Sequence, residues 1–202
     1  MRATIQELND FPKRKKINIL NTIIGIKPAN LIGSQSASGQ SNLSIFNSVF
    51  HIGANPSLIG FIMRPTDDVK RHTYENIINT KWYTINHVPP NKIEDAHQTS
   101  AKYDKNISEF DACNFTREYI YDFVAPFVEE SKLKYGLELV DDILIPHNKT
   151  RLIIGTVKTI IVPDDIINDD GNINLEKTSI GVSGLHEYYS LKKVASRPYA
   201  KP

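Results

Sequence analysis

Hydrophobic and polar positions follow different periods along the chain, and each period predicts its own kind of element. "INILNTIIGIKPANLIGS" is rich in Ile, Leu and Asn, with Pro28 interrupting it, which favours two short extended pieces over one helix. "LSIFNSVFHI" is β-rich, and "SLIGFIM" is a short apolar run between Asn55-Pro56 and Arg64-Pro65. These three runs predict an antiparallel meander, with Ser34–Ser41 as its first connection and "GANP" as its second.

From Thr73 the period changes. Tyr74, Ile77 and Ile78 fall at i, i+3 and i+4, one face of a short helix with Thr73 as its N-cap. "KWYTINHV" reads as a strand stopped by Pro89-Pro90. Ile93, Ala96, His97, Ser100 and Ala101 recur at helical spacing, and a further short helix starts at Ser108 with Phe110 and Phe115 as anchors. The last third returns to strands: "KYGLELVDDILIP", a turn around His147–Lys149, then the long β-branched run "RLIIGTVKTIIVP", expected inside the sheet. Asp170-Gly171 signals a turn, and the tail is aromatic and basic. Strand-rich ends around a helical middle predict a mainly β protein, a β-barrel with short helices at its side.

At 202 residues one domain over 1–202 is expected, with 1–16 as an N-terminal extension and 185–202 as a C-terminal tail. A formal charge of +1 supplies no global field for nucleic acid or an anionic membrane, so any anion site must be local. The single cysteine, Cys113, suits a reducing compartment, and no run is long enough for a signal peptide or a membrane helix. A cytoplasmic protein is expected. The chain has no G-x-S-x-G elbow, Walker loop, G-x-G-x-x-G or H-E-x-x-H, and its six histidines keep no metal-binding interval. No metal is expected. The acid pairs Asp67-Asp68, Asp141-Asp142, Asp164-Asp165 and Asp169-Asp170 read as solvated turns.

Two stretches carry chemistry. The loop from Ser34 through Gln35, Ser36 and Gly39 to Asn42 offers backbone N–H groups that can form an anion-binding concavity. Beyond it, Asn42, Ser44, Asn47 and Ser48 interleave with Leu43, Ile45, Phe46 and Val49, which can set amides and hydroxyls beside a flat heteroaromatic ring. A plain polar hairpin tip has the same composition. In "RPTDDVKRHTYENI", Arg64, Lys70, Arg71 and Thr73 gather at a helix entrance, where N–H groups and the helix dipole favour a phosphate. The alternative is a surface pair between Arg71 and Asp67 or Asp68. His97 and Ser100 share a helix face with Ile93 and Ala96, so His97 is either a satisfied half-buried histidine or a ligand contact. Tyr188 and Tyr189 read as packing residues.

The order of these segments resembles the flavin reductase-like, FMN-binding split-barrel family. The likeness begins at "IKPANLIGSQSASGQSNLSIFNSVFHIGANPSLIGFIMR", continues through "KRHTYENI" and "KWYTINHV", and includes "AHQTSAKY", "SEFDACNFT", "VEES", "LIIGTVKTIIV" and "YYSLKKVASRPYAKP". It spans roughly Ile17 to the C-terminus. The resemblance implies an antiparallel, Greek-key-like split barrel, a homodimer holding FMN at its interface. It implies that Ser34, Gln35, Ser36, Asn42, Leu43, Ser44, Ile45, Asn47 and Ser48 meet the ring and ribityl chain. It gives Arg64, Arg71 and Thr73 the phosphate, and brings His97, Ser100 and Lys102 in from the helical insertion. His72 stands where many members carry Asp, and it is left outside the site.

The activity so implied is an FMN-dependent oxidoreductase of the NAD(P)H:flavin reductase type. Hydride would pass from NAD(P)H to FMN and on to a second acceptor, such as a partner oxygenase, with no protein group acting as catalyst. The rivals are an FMN carrier or electron-transfer protein without reductase turnover, and a barrel serving as scaffold or nucleic-acid binder. Near-zero net charge and acidic turns argue against the last.

Overall fold

A computed structural model describes residues 1–67, 69–121 and 123–201. Two helices open the chain, α1 (Ile5–Asn9) and α2 (Lys13–Thr22), followed by strands β1 (Lys27–Pro28), β2 (Asn30–Gln35), β3 (Ser41–Phe46), β4 (Phe50–Ala54) and β5 (Ser57–Met63). Helix α3 (His72–Thr80) leads into β6 (Trp82–His87), and α4 (Ile93–Gln98) and α5 (Glu109–Ala112) into β7 (Arg117–Glu118) and β8 (Phe127–Val128). The long hairpin β9 (Lys134–Ile145) and β10 (Thr150–Ile161) follows, then β11 (Ile180–Ser183) and β12 (Glu187–Ser190). Seven strands form one antiparallel sheet in the order β3-β2-β6-β9-β10-β5-β4, while β1-β11-β12 and β7-β8 form small sheets. The sheets do not close, and the architecture is a split β-barrel flanked by short helices. Among the described residues no helix is long and apolar enough to cross a membrane.

Strand alternation gives the sheet two cores. On β2, Leu31 joins Leu43, Val88, Phe110 and Val182 on one side, while Ile32 joins Phe61, Tyr83, Ile85 and Ile153 on the other. Side chains with a period of two therefore bury both faces of β2. The first face is covered by α4, α5 and the β11–β12 hairpin, and the second is the barrel interior. Strand β10 lies between β9 and β5, the interior position its β-branched run predicts.

Several expectations are corrected. The first run is helical as far as Thr22. Pro28 lies beyond the helix end, Gly25 at φ +80° turns the chain out, and Pro28 falls in edge strand β1, where a missing N–H is harmless. The meander is broken, because Asn47–Val49 interrupt the middle run. Its first half pairs with β2 and its second with β5, so β3 and β4 sit at opposite ends of the sheet. The cap of α3 is Arg71, extended and without a side-chain cap bond, and Thr73 lies inside the first turn. Helix α4 stops at Gln98, leaving Ser100 and Ala101 in the turn after it. Asp141 and Asp142 lie in β9, where Asp142 accepts from Arg151 on the neighbouring strand at 2.6 and 2.8 Å and from the Tyr74 hydroxyl at 2.8 Å. Asp164 and Asp165 form a 3-10 turn, and Asp68 lies outside the described residues.

Candidate functional site

A cleft of about 780 Å³ opens between the end of β3, the start of α3, the turn after α4 and the β11–β12 hairpin. Asn42, Ser44, Ile45, Asn47 and Ser48 form one wall, Arg64, Arg71 and Thr73 one end, and His97, Ser100 and Lys102 the opposite side. Strand β3 can supply that wall because it is an edge strand, with its second side free of β-pairing.

The wall is held by side-chain bonds across long stretches of sequence. The Asn42 amide donates to the Thr73 hydroxyl at 2.9 Å, and both residues are buried. The Asn47 amide donates to the Gly184 carbonyl at 2.6 Å, fixing the end of β3 to the β11–β12 hairpin. Ser48 donates to the Ile62 carbonyl and accepts from the Ile62 N–H, at 3.0 and 3.2 Å. Its hydroxyl thereby stands in for strand pairing where the chain leaves β3.

The α3 end is cationic. Arg64, Lys70 and Arg71 all line it, and among the described residues no carboxylate comes within 4.0 Å of any of them. Asp67, weighed as a partner of Arg71, lies 3.9 Å from Lys149 instead. Arg71 donates from Nε to the Pro65 carbonyl at 3.4 Å. Burial and then the neighbouring Arg64 charge hold its guanidinium below the usual arginine range. Two cations kept side by side without an anion among the described residues suit an anionic ligand, and the first-turn N–H groups of α3 add to them.

On the opposite side His97 is exposed, and its Nδ1 lies 2.9 Å from the Tyr188 hydroxyl with the rings edge to face. It is therefore a bonded residue on the rim, outside the half-buried setting its helix face suggested. Tyr188 lines the cleft as well, half-buried, and burial pushes its phenol up.

Four residues do not reach the cleft. Ser34 is buried and accepts from the Asn76 amide at 3.2 Å; Gln35 accepts from the Tyr119 hydroxyl at 2.5 Å. Ser36 stays in the hairpin turn, bonded to Ser38 and to the Gln40 N–H. The Leu43 side chain lies in the core, while its N–H donates to Glu109 Oε2 at 3.0 Å. Sequence reasoning missed Glu109, Tyr103 and His186, which line the cleft from elements far along the chain, and it set His72 aside. The order of Ser108, the helix N-cap, and Glu109 was visible, but nothing local placed that short helix against β3.

Residues 26–174 match the signature of the flavin reductase like domain, and the chain belongs to that family. Its chemistry is flavin-related redox chemistry, with a flavin as cofactor. A protein from Shewanella frigidimarina NCIMB 400, described as a flavin reductase with a split barrel domain, is 46% identical; 99% of this chain and 100% of that one superpose, with a TM-score of 0.95. Nitrilotriacetate monooxygenase component B from Bacillus cereus shares the fold at 19% identity, with 98% of each chain covered and a TM-score of 0.85. So does 2-nitrobenzoate 2-nitroreductase from Pseudomonas fluorescens, at 16% identity over 100% of this chain and 98% of that one, with a TM-score of 0.82. One fold thus occurs in differently named proteins, and function must be argued from the site.

Proposed function

We propose that the protein is a cytoplasmic, homodimeric FMN-dependent oxidoreductase that takes hydride from NAD(P)H and passes the electrons to a second acceptor, such as a partner oxygenase. The observation that carries the choice of FMN is the cluster of Arg64, Lys70 and Arg71 at the start of α3, cations without a carboxylate partner among the described residues. A flavin without a phosphate would leave that cluster unused.

In this reading Arg64, Arg71 and Lys70 hold the phosphate with the first-turn N–H groups of α3, and Thr73 keeps Asn42 in place beside it. Charged hydrogen bonds of this kind contribute roughly 1.5–3 kcal/mol each. Asn42, Ser44, Ile45, Asn47 and Ser48 lie along the ribityl chain and ring. His97, Ser100 and Lys102 approach from the α4 side. Ser34, Gln35, Ser36 and Leu43 support the wall from behind. The flavin, when bound, supplies the hydride-accepting ring; the protein's groups bind it, orient it and limit water around it. A nicotinamide would reach the ring through the mouth of the cleft. Component B of a monooxygenase among the proteins of this fold supports a partner oxygenase as acceptor.

The test is the visible spectrum of the purified protein, with the bound flavin released and identified, followed by addition of NADH or NADPH. FMN that is bleached by either nucleotide is the expected result. FMN bound but never bleached would leave a carrier. Failure to bind added flavin would remove the reading.

A further inference from the structure

One carboxyl group in the cleft has no role in that reading. Glu109 lines the cleft while only 6% exposed, and among the described residues it is the one acidic side chain that does so. Its Oε2 accepts the Leu43 N–H at 3.0 Å, and no Lys, Arg or His among the described residues comes within 4.0 Å. The other oxygen, Oε1, has no hydrogen-bond partner among the described residues, yet it is not sealed inside the protein. A nearly buried polar atom in that state is costly unless something in the cleft completes it.

Position narrows the choice of partner. Leu43 lies on edge strand β3, and its N–H turns to the side that has no neighbouring strand, where Glu109 takes it. Asn42, one residue earlier, is bonded to Thr73 at the cationic end, and Ser44, one residue later, belongs to the wall. A strand advances only about 3.3 Å per residue. Glu109 therefore meets the part of a ligand that joins its anionic end to its flat ring. An ionised phosphate brings acceptors alone, and a ring N–H brings a donor alone. A hydroxyl brings both. It can complete Oε1 whether the carboxyl is ionised or carries a proton, so the contact survives the upward push that burial gives this group.

We propose that Glu109 is a specificity residue for the polyol chain of the flavin: Oε1 bonds a ribityl hydroxyl, so the cleft selects its ligand by the hydroxylated side chain as well as by the phosphate. The inference rests on the flavin reading above. The Leu43 N–H fixes one carboxyl oxygen and leaves the other to the ligand. A flavin lacking the hydroxyls would cover Oε1 and offer it nothing, which costs more than a bond merely missed in water. Selection of this kind comes from an unpaired polar atom in the wrong complex, and it discriminates more sharply than an apolar wall could.

The experiment titrates wild-type, Glu109→Gln and Glu109→Leu protein with riboflavin and with an analogue carrying a pentyl chain in place of the ribityl chain, read by flavin fluorescence. Wild-type protein should bind the analogue about tenfold or more weakly than riboflavin, the equivalent of one hydrogen bond left unmade. E109L should lose about tenfold for riboflavin and much less for the analogue. E109Q should hold riboflavin within about threefold of wild type, because its amide oxygen can accept the Leu43 N–H while its NH₂ donates to a hydroxyl. Riboflavin lost from E109Q as far as from E109L would mean that Oε1 faces a group that only donates, such as the ring N–H, and overturns the proposal. Equal losses of both flavins in E109L overturn it too, as does equal binding of both by wild type. If E109L melts far below wild type, the analogue on wild-type protein and riboflavin on E109Q decide. Wild-type protein that binds no flavin overturns both this inference and the function it rests on, whereas flavin bound without preference for the ribityl chain overturns only the inference.

Discussion

The Asn42 side-chain amide donates to the Thr73 hydroxyl at 2.9 Å, joining edge strand β3 to the first turn of α3. Both side chains are buried, so neither can exchange its partner for water. Asn42→Leu would leave the Thr73 hydroxyl without its donor, at a cost of about 1–3 kcal/mol. Thr73→Val should cost a similar amount, and the two together less than their sum, because each removes the same bond. Urea unfolding of the four proteins measures that coupling; full additivity would show that the bond contributes nothing of its own.

Arg71 tests the phosphate end. Replacing it with Ala should weaken FMN roughly 10- to 100-fold, the equivalent of one charged hydrogen bond, and riboflavin much less. Fluorescence titration with both flavins reads the difference. Equal losses would place Arg71 away from the phosphate.

Both halves of that cationic end were legible in the sequence, because Arg64, Lys70, Arg71 and Thr73 lie within ten residues and a helix entrance gathers them without distant help. Strands β5, β6, β9 and β10 were legible for the same reason, since each is a self-contained run bounded by Pro, Gly or a turn. Other features depend on partners far along the chain. The break at Asn47–Val49 follows from Ser48 bonding to Ile62 and Asn47 to Gly184, neither of which a local period reveals. Helix α2 was misread because Pro28 drew attention away from the Gly25 turn that already separates the two segments. Glu109 was invisible as a cleft residue because its partner, Leu43, is 66 positions away.

His87 gives the fold a pH dependence. Its ring packs at the end of β6 with Nδ1 2.6 Å from the Ser179 hydroxyl, and burial lowers its pKa to about 4. The unfolded chain, with an ordinary histidine near 6.5, then binds a proton that the native protein refuses. Stability is therefore complete above about pH 6.5 and falls as the pH drops towards 4. The loss from this residue should reach roughly 2 kcal/mol, less than the full shift implies because part of the ring meets solvent. His87→Gln should flatten that segment of the stability–pH curve. An unchanged slope between pH 6.5 and 4 would mean that other groups produce it.

Inside the barrel, Tyr83 and Gly155 occupy space that neither shares easily. Tyr83 is fully buried, its hydroxyl has no hydrogen-bond partner among the described residues, and burial pushes its phenol far up. A Cβ at Gly155 would collide with that hydroxyl, and would meet the Leu137 Cβ at 3.1 Å. Gly155 is thus a packing glycine, required because an aromatic ring from β6 reaches across β9 to β10. Gly155→Ala should destabilise the protein by about 1–3 kcal/mol through overpacking. Tyr83→Phe removes an unsatisfied polar group from the core and should be neutral or stabilising by up to about 1 kcal/mol. Combined, the two changes should recover much of the Gly155→Ala loss, since Phe lacks the oxygen that the new methyl strikes. Thermal unfolding of both single variants and the double variant decides it. Additive effects would show that the clash is with Leu137 and with the ring carbon that Phe keeps, Tyr83 Cζ at 2.9 Å, with the hydroxyl playing no part.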